Sequence, residues 1–337
     1  MRGWLLVAGL AFGCGMAGAS ARELTFTDTA GTAVKVAAPV SRIGALWFAH
    51  NEVLCMLGAA PKIVATVDAP GSYPWLYRVC PALRKALFIS SGEFNVESLL
   101  ATQPDVVFIS GNTNPRPLRN AGIPTAMLNF TDFGSMQKVI DLTASVLGPE
   151  AQGRARRYDA YLDSRLALVR GRTAHLASGA KPRVLHVNRF DPLLVDGSDT
   201  IINDWIEVAG GVNAAAEVKG NMKPVSVEQI LRWNPDVIIC GASAGDIRKV
   251  TGTDAWKSIA AVKTGRVVVN PSGAFLWDRY GVEEALQIQW AAKLLHPDLF
   301  RDLDMNTEVR TFYRDFFGYA LGDTEIRQIL DGLPPAK

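Results

Sequence analysis

Cysteine is scarce in this chain: four among 337 residues, with no C-x-x-C pair. A thiol-redox enzyme and an iron–sulfur protein therefore have no support, since each needs paired or clustered thiolates. Histidine is equally thin, with His50, His175, His186 and His296 scattered along the chain. A tetrahedral metal centre needs three or four converging nitrogen or sulfur ligands, so none is expected. No H-E-x-x-H and no P-loop occurs, which removes metalloprotease and P-loop nucleotide chemistry. An excess of one charge is missing too: 35 basic against 33 acidic residues give a formal charge of +2, with no basic run of five. Non-specific nucleic-acid binding depends on such runs, and none is expected. Beyond the N-terminal leader no apolar stretch approaches the ~18 residues of a membrane span.

The leader itself has a recognisable layout. Arg2 precedes the apolar run Trp4 to Phe12, and small residues lead to Ala19-Ser20-Ala21. That is the pattern of a secretory signal peptide covering residues 1–21, cleaved before Arg22. Cys14 raises lipid attachment as the alternative, but Phe12-Gly13 before it match a lipidation site poorly. An exported chain, free in the periplasm, is expected. In that oxidising compartment Cys55 and Cys80, both in the first half, could pair, while Cys240 reads as a small core residue.

One stretch is written twice. Residues 95–110 (Asn-Val-Glu-Ser-Leu-Leu, then Pro104-Asp105-Val106) return at 226–241 as Ser-Val-Glu-Gln-Ile-Leu, then Pro235-Asp236-Val237. Each copy reads as a capped helix and a buried strand. Asn95 and Ser226 are the N-caps, and Glu97 and Glu228 sit in the first turn, where the helix dipole favours an anion. The apolar pairs Leu99/Leu100 and Ile230/Leu231 are expected to pack inward. Pro104 and Pro235 end the helices, and continuous β-branched runs follow, as in parallel-sheet strands. Two copies are too few for a solenoid and predict two Rossmann-like α/β lobes. Between them Leu162, Leu166 and Val169 recur at helical spacing, as do Tyr158 and Tyr161. The predicted layout is an N-terminal lobe at 22–148, one long rigid helix at 149–176, and a C-terminal lobe with closing helices at 177–333.

In open α/β sheets, ligands bind beyond the carboxyl ends of the strands. Trp47, Phe48, Tyr73 and Trp75 fall in such loops of the first lobe; Phe190, Trp277 and Tyr280 fall in those of the second. Two facing sheets would set these rings on both walls of one cleft, with Arg189 and Arg279 as cations. Such walls suit a large, planar, partly anionic ligand. His50 and His186 also stand near strand ends and could face the same cleft.

Further segments fall in a telling order: Arg42-Ile43-Gly44-Ala45-Leu46, Asn51-Glu52-Val53-Leu54, Gly122-Ile123-Pro124, Ala209-Gly210-Gly211-Val212-Asn213 and Trp290-Ala291-Ala292-Lys293-Leu294-Leu295-His296-Pro297. With the two repeat copies, they make the chain resemble the periplasmic substrate-binding proteins of ABC importers for ferric siderophores, haem and cobalamin, from about Ser41 to Phe317. The resemblance implies a monomeric, non-enzymatic protein without a cofactor of its own. It would capture a metal chelate, foremost a ferric siderophore, and deliver it to an inner-membrane permease and its ATPase. It further implies one surface glutamate per lobe that docks onto permease arginines, here Glu97 and Glu228. Haem-binding members ligate iron through Tyr or His, so Tyr73 or His50 would serve for haem. Gly92-Glu93 and Met222-Lys223 depart from the tryptophan-containing loops of the cobalamin-binding member. Haem, cobalamin, a nickel chelate and an oxyanion such as molybdate are the alternative ligands. A receptor that feeds a membrane sensor is the alternative of another class. A nitrogenase-like oxidoreductase, which shares the two-lobe build, would need cluster cysteines that this chain lacks.

Overall fold

The computed structural model describes residues 22–90 and 95–336, leaving aside the side chains of residues 249 and 250. The expected signal peptide and the Gly92-Glu93 departure lie outside the described residues. Strands β1 (Arg22–Thr27) and β2 (Ala33–Ala38) form an antiparallel hairpin. The first lobe then runs β3 (Ile43–Leu46), α1 (Phe48–Met56), β4 (Ile63–Thr66), α2 (Pro74–Val79), β5 (Leu87–Phe88), α3 (Val96–Ala101), β6 (Val106–Ser110), α4 (Arg116–Asn120), β7 (Thr125–Leu128) and α5 (Phe133–Leu147). Its strands are all parallel, in the order β5-β4-β3-β6-β7. Helix α6 (Pro149–Thr173) leads out of it. Gly148, at φ 108°, supplies a backbone turn that few other residues tolerate, and Pro149 opens the helix where a missing N–H does no harm.

The second lobe comprises β8 (Arg183–Phe190), β9 (Leu193–Val195), α7 (Ile201–Val208), β10 (Val212–Asn213), β11 (Lys223–Pro224), α8 (Val227–Trp233), β12 (Val237–Cys240), α9 (Ile247–Thr251), α10 (Asp254–Lys257), α11 (Ala260–Lys263), β13 (Val267–Val269) and α12 (Glu284–Leu295). The sheet order is β11-β9-β8-β12-β13, with β10 also on β8; β8, β10, β12 and β13 are parallel. Helix α13 (Met305–Phe312), a π-helical turn (Tyr313–Phe317) and α14 (Asp323–Leu330) close the chain.

The twofold writing of the sequence is repeated in its hydrogen bonds. Asp105 accepts from the Arg42 amide at 2.8 Å, and Asp236 accepts from the Arg183 amide at 2.8 Å. The Arg42 guanidinium donates to the Thr102 carbonyl at the end of α3, and Arg183 does the same to Trp233 at the end of α8. Each repeat therefore ties its helix and strand to the central strand of its sheet, β3 or β8, by the same Arg/Asp lock. One expectation is corrected here. Leu99 and Ile230 are fully buried, but Leu100 and Leu231 point outward, 42% and 36% exposed. On a helix packed by one face, two adjacent residues differ by about 100° and cannot both reach the sheet.

The core explains why α6 acts as a strut. One apolar cluster runs through both lobes, with Tyr158, Leu162, Leu166 and Val169 of α6 between Val53 and Ile140 of the first lobe and Ile202 and Leu286 of the second. The opposite sheet faces are closed separately, around Leu99 and Val107 in the first lobe and Ile230 and Ile238 in the second. Val282, just ahead of α12, clamps the three parts. Its N–H donates to Glu52 Oε2 on α1 at 2.8 Å, and its carbonyl accepts from the Tyr158 hydroxyl of α6 at 2.8 Å. The C-terminal tail crosses back as well: Trp75 Nε1 donates to the Leu333 carbonyl at 2.9 Å, and Arg78 pairs with Glu325 at 3.1 Å.

Cys55 and Cys80 meet in the first-lobe core as unbonded, buried thiols. Contact with Cys80 and burial together hold the Cys55 thiol well above the usual range. Cys240 is fully buried at the end of β12.

Leu162→Ala is expected to destabilise the whole chain by about 2–5 kcal/mol, the range for emptying a buried leucine site. Urea unfolding followed by circular dichroism checks this; an unchanged midpoint would mean that the strut is not part of a joint core.

Candidate functional site

Because each lobe is built on parallel strands, the loops at their carboxyl ends collect on one rim. The two rims meet. Trp47 follows β3, Tyr73 lies in the loop after β4, and Phe130 follows β7; Phe275 and Tyr280 lie in the loop after β13. Tyr73 stacks on Phe275 across the lobes, with ring centroids 5.3 Å apart and planes 22° from parallel. Phe130 and Trp47 approach Tyr280 at 5.3 and 6.3 Å, and Phe48 flanks Tyr73 at 5.9 Å. At one end of this seam lies a cavity of about 190 Å³. Ser72 and Tyr73 line it from the first lobe, Ser243, Ser272 and Leu276 from the second, and Leu333 from the tail.

Tyr280 is held in place by charge. His186 on β8 contacts Asp196 through Nδ1 at 2.8 Å and Asp278 through Nε2 at 2.6 Å, both buried. Arg279 Nη1 donates to Asp196 at 2.9 Å. Burial alone would lower the His186 pKa, yet hydrogen bonds to the two carboxylates, and their charge, raise it to about 9. Burial would likewise raise Asp196, but Arg279 and His186 hold it well below the usual carboxylate range. The imidazolium and guanidinium thus pin the Asp278-Arg279 segment to β8, which delivers Tyr280 to the seam. Tyr280 adopts φ 58°, a left-handed backbone that costs a non-glycine residue about 1–3 kcal/mol and persists only where the surroundings impose it. Its hydroxyl contacts Asn221.

Acids dominate behind the rings. Glu52 and Glu283, from opposite lobes, are both fully buried, and the charge of one acts on the other. Burial raises both; Glu52 stands well above the usual range, helped by the Glu283 charge, and Glu283 reaches about 7. Glu283 also accepts from Tyr313, Trp277 and the Phe275 amide, which favour its ionised form, so Glu52 is the more strongly protonated of the two. Gly281 is required beside them, since a Cβ there would lie 2.0 Å from Glu52 Oε2. Asp68, two residues beyond β4, is buried with both carboxyl oxygens unpartnered among the described residues, and burial pushes its pKa well up.

The sequence-derived site residues divide accordingly. Trp47, Phe48, Tyr73 and Tyr280 come together at the seam. His50 does not: it is buried inside the first lobe, with Nε2 on Thr143 Oγ1 at 2.9 Å and its pKa lowered by burial to about 3. It is a neutral core histidine, unavailable as an iron ligand in the cleft. Trp75 and Trp277 are buried, their indoles spent on Leu333 and Glu283. Phe190 packs edge-on against Trp256 at 5.7 Å in the second lobe's outer core. Arg279 is only 8% exposed and already paired, so it is no free cation for a ligand, whereas Arg189 is exposed on β8.

Phe130 and Phe275 are seam residues that the aromatic reading passed over. Both follow parallel strands, and that same rule could have found them. A further pattern, Gly241-Ala242-Ser243-Ala244-Gly245, directly follows β12 with the G-x-S-x-G spacing of a hydrolase nucleophile turn. A serine nucleophile needs a base. Nearby His186 has both nitrogens committed to carboxylates, and the described residues give Ser243 no histidine partner.

Comparison with known proteins agrees with this geometry. A family model described as "Periplasmic binding protein" matches residues 48–274. The chain belongs to the periplasmic binding protein family. It is 28% identical over 250 residues to the molybdate-binding protein MolA of Haemophilus influenzae, covering 66% of this chain and 70% of that one. It is 26% identical over 295 residues to the ABC transporter substrate-binding lipoprotein YvrC of Bacillus subtilis, covering 83% and 87%. A solved periplasmic solute binding protein from Veillonella parvula superposes with a TM-score of 0.78 at 30% identity, covering 92% of this chain and 97% of that one. Proteins of this family are solute-binding partners of an ABC permease and ATPase, not enzymes. Among the described residues no helix is long and apolar enough to cross a membrane.

The Glu52–Glu283 contact makes stability depend on pH. A carboxyl whose folded pKa is raised stabilises the fold below its unfolded value, near 4.5, and that contribution is lost as pH rises through about 7. Glu52→Gln keeps the acceptor for Val282 and removes the titration. It is expected to raise the melting temperature at about pH 8 and to flatten, without abolishing, the slope from about pH 5 to 7, leaving the Glu283 contribution, lost by about 7, and the His186 contribution, which fades between 6.5 and about 9. Thermal unfolding across pH checks this; an unaltered slope would show that the pair does not share a proton.

Proposed function

We propose that this chain is a monomeric periplasmic binding protein that captures a compact metal chelate between its lobes and passes it to an inner-membrane ABC permease. The carrying observation is the seam: rings of one lobe lie 5.3–6.3 Å from rings of the other. These rings touch one another in this structure, so a ligand held between Trp47, Tyr73 and Phe130 on one wall and Phe275 and Tyr280 on the other would part them and draw affinity from apolar burial, at roughly 25 cal/mol per Å². The cavity of about 190 Å³ that adjoins the seam at Tyr73 favours a compact ligand. A bulky ferric siderophore, the first expectation from sequence, would have to part the seam, and it would find Arg279 already neutralised. Asp278 is paired with His186, and burial raises the pKa of Asp68 and Glu284, so the setting carries little net charge and favours a ligand that is itself close to neutral. A second reading, an oxyanion such as molybdate, is supported by the likeness to MolA.

Native mass spectrometry of protein isolated from its own periplasm, followed by titration with that ligand, tests the reading. Tyr280→Ala is expected to weaken binding at least about tenfold, the effect of losing ~1.4 kcal/mol of ring burial. Unchanged affinity would remove the seam from the binding site.

Docking falls to the repeat. Glu97 and Glu228 are exposed in the first turns of α3 and α8. Neither carboxylate forms an ion pair within the described residues. The double variant Glu97→Ala, Glu228→Ala is expected to abolish uptake and to leave ligand affinity intact. A loss of ligand affinity would instead place these carboxylates in the ligand site.

A further inference from the structure

The outward turn of Leu100 and Leu231 has a use. Each lies three residues after its glutamate, so Glu97/Leu100 and Glu228/Leu231 are neighbours on one helix face. Single exposed leucines are ordinary on a protein surface. These two differ in occupying the same place in both copies of the repeat, 42% and 36% exposed, each beside an exposed carboxylate.

Topology puts both pairs on one side of the molecule. α3 and α8 each precede a parallel strand, β6 and β12, and therefore run against it and begin at the rim where the lobes meet. Both also pack on the sheet faces turned away from α6: Leu99 belongs to the outer cluster of the first lobe, Ile230 to that of the second. The two acid–leucine pairs thus flank the cleft on its strut-free side, at a separation that the shared core around α6 keeps fixed.

We infer that Leu100 and Leu231 are the apolar half of the surface that docks on the permease. The inference rests on the docking reading of Glu97 and Glu228. The fitting partner is a twofold-symmetric membrane protein whose two halves each present a basic side chain beside an apolar recess. The carboxylates steer and orient across water, a contribution that salt screens. The leucines bury against the recesses, a contribution that salt leaves standing.

The test uses the full exported chain and its cognate permease–ATPase complex in lipid nanodiscs, with affinity measured at low and at high salt. Leu100→Ser with Leu231→Ser is expected to weaken docking at least about tenfold at both salt concentrations, with ligand affinity and melting temperature unchanged. Leu100→Gln with Leu231→Gln, which preserves helix propensity, is expected to do the same. Val212→Ser, a comparably exposed site outside the repeat, should dock like the parent chain. If the leucine variants dock like the parent chain while Glu97→Ala with Glu228→Ala docks weakly, the leucine inference is overturned and the docking reading stands. If the glutamate variant also docks like the parent chain, the docking reading falls with it.

Discussion

The peptide of Val282 is the point on which this architecture turns. Glu52 of the first lobe takes its N–H, Tyr158 of the strut donates to its carbonyl, and the residue itself lies just ahead of α12 of the second lobe. All three partners are buried, so none of these groups can exchange its bond for water without cost. Two lobes that touched only through loops would be free to swing. Lobes fastened to one helix through a shared core and a buried three-way clamp can only adjust. The two walls are therefore held in register before any ligand arrives, so a guest has only to part the ring contacts between them.

The same clamp accounts for the buried carboxylates. Two glutamates buried close together do not both ionise readily, and burial together with the Glu283 charge holds Glu52 protonated well above the usual range. Next to it, His186 and Arg279 neutralise Asp196 and Asp278. Charge in this region serves placement: it fixes the loop that carries Tyr280 and Phe275. Ligand recognition is left to rings, hydroxyls and backbone, a division that suits a site whose walls must meet in register from two separate lobes.

The fold was largely legible in the sequence. A duplicated helix–strand unit, an uninterrupted helical period at Leu162, Leu166 and Val169, and apolar strand runs all report local physics, and local physics sets elements. The candidate site was legible only by region. Loops after parallel strands were the right place to look, yet Trp277 turned inward while Phe275, two residues earlier, turned to the seam. In an irregular loop no period says which way a side chain points. His50 and Arg279 misled for a related reason: their partners, Thr143 and Asp196, are remote in sequence, and residue type alone does not reveal that a polar group is already satisfied. Leu100 misled because a helix too short for a full apolar stripe gives no periodicity to read.

The central claim is that one guest is gripped by both lobes at once. The structure of the protein with the ligand it carries out of its own periplasm tests this most directly. The account predicts ligand density in contact with rings of both walls, Tyr73 or Trp47 on one side and Phe275 or Tyr280 on the other, with α6 unbent. Density held by a single lobe, or lodged at the opposite strand ends in the open hollow between Lys181 and Arg266, would contradict it.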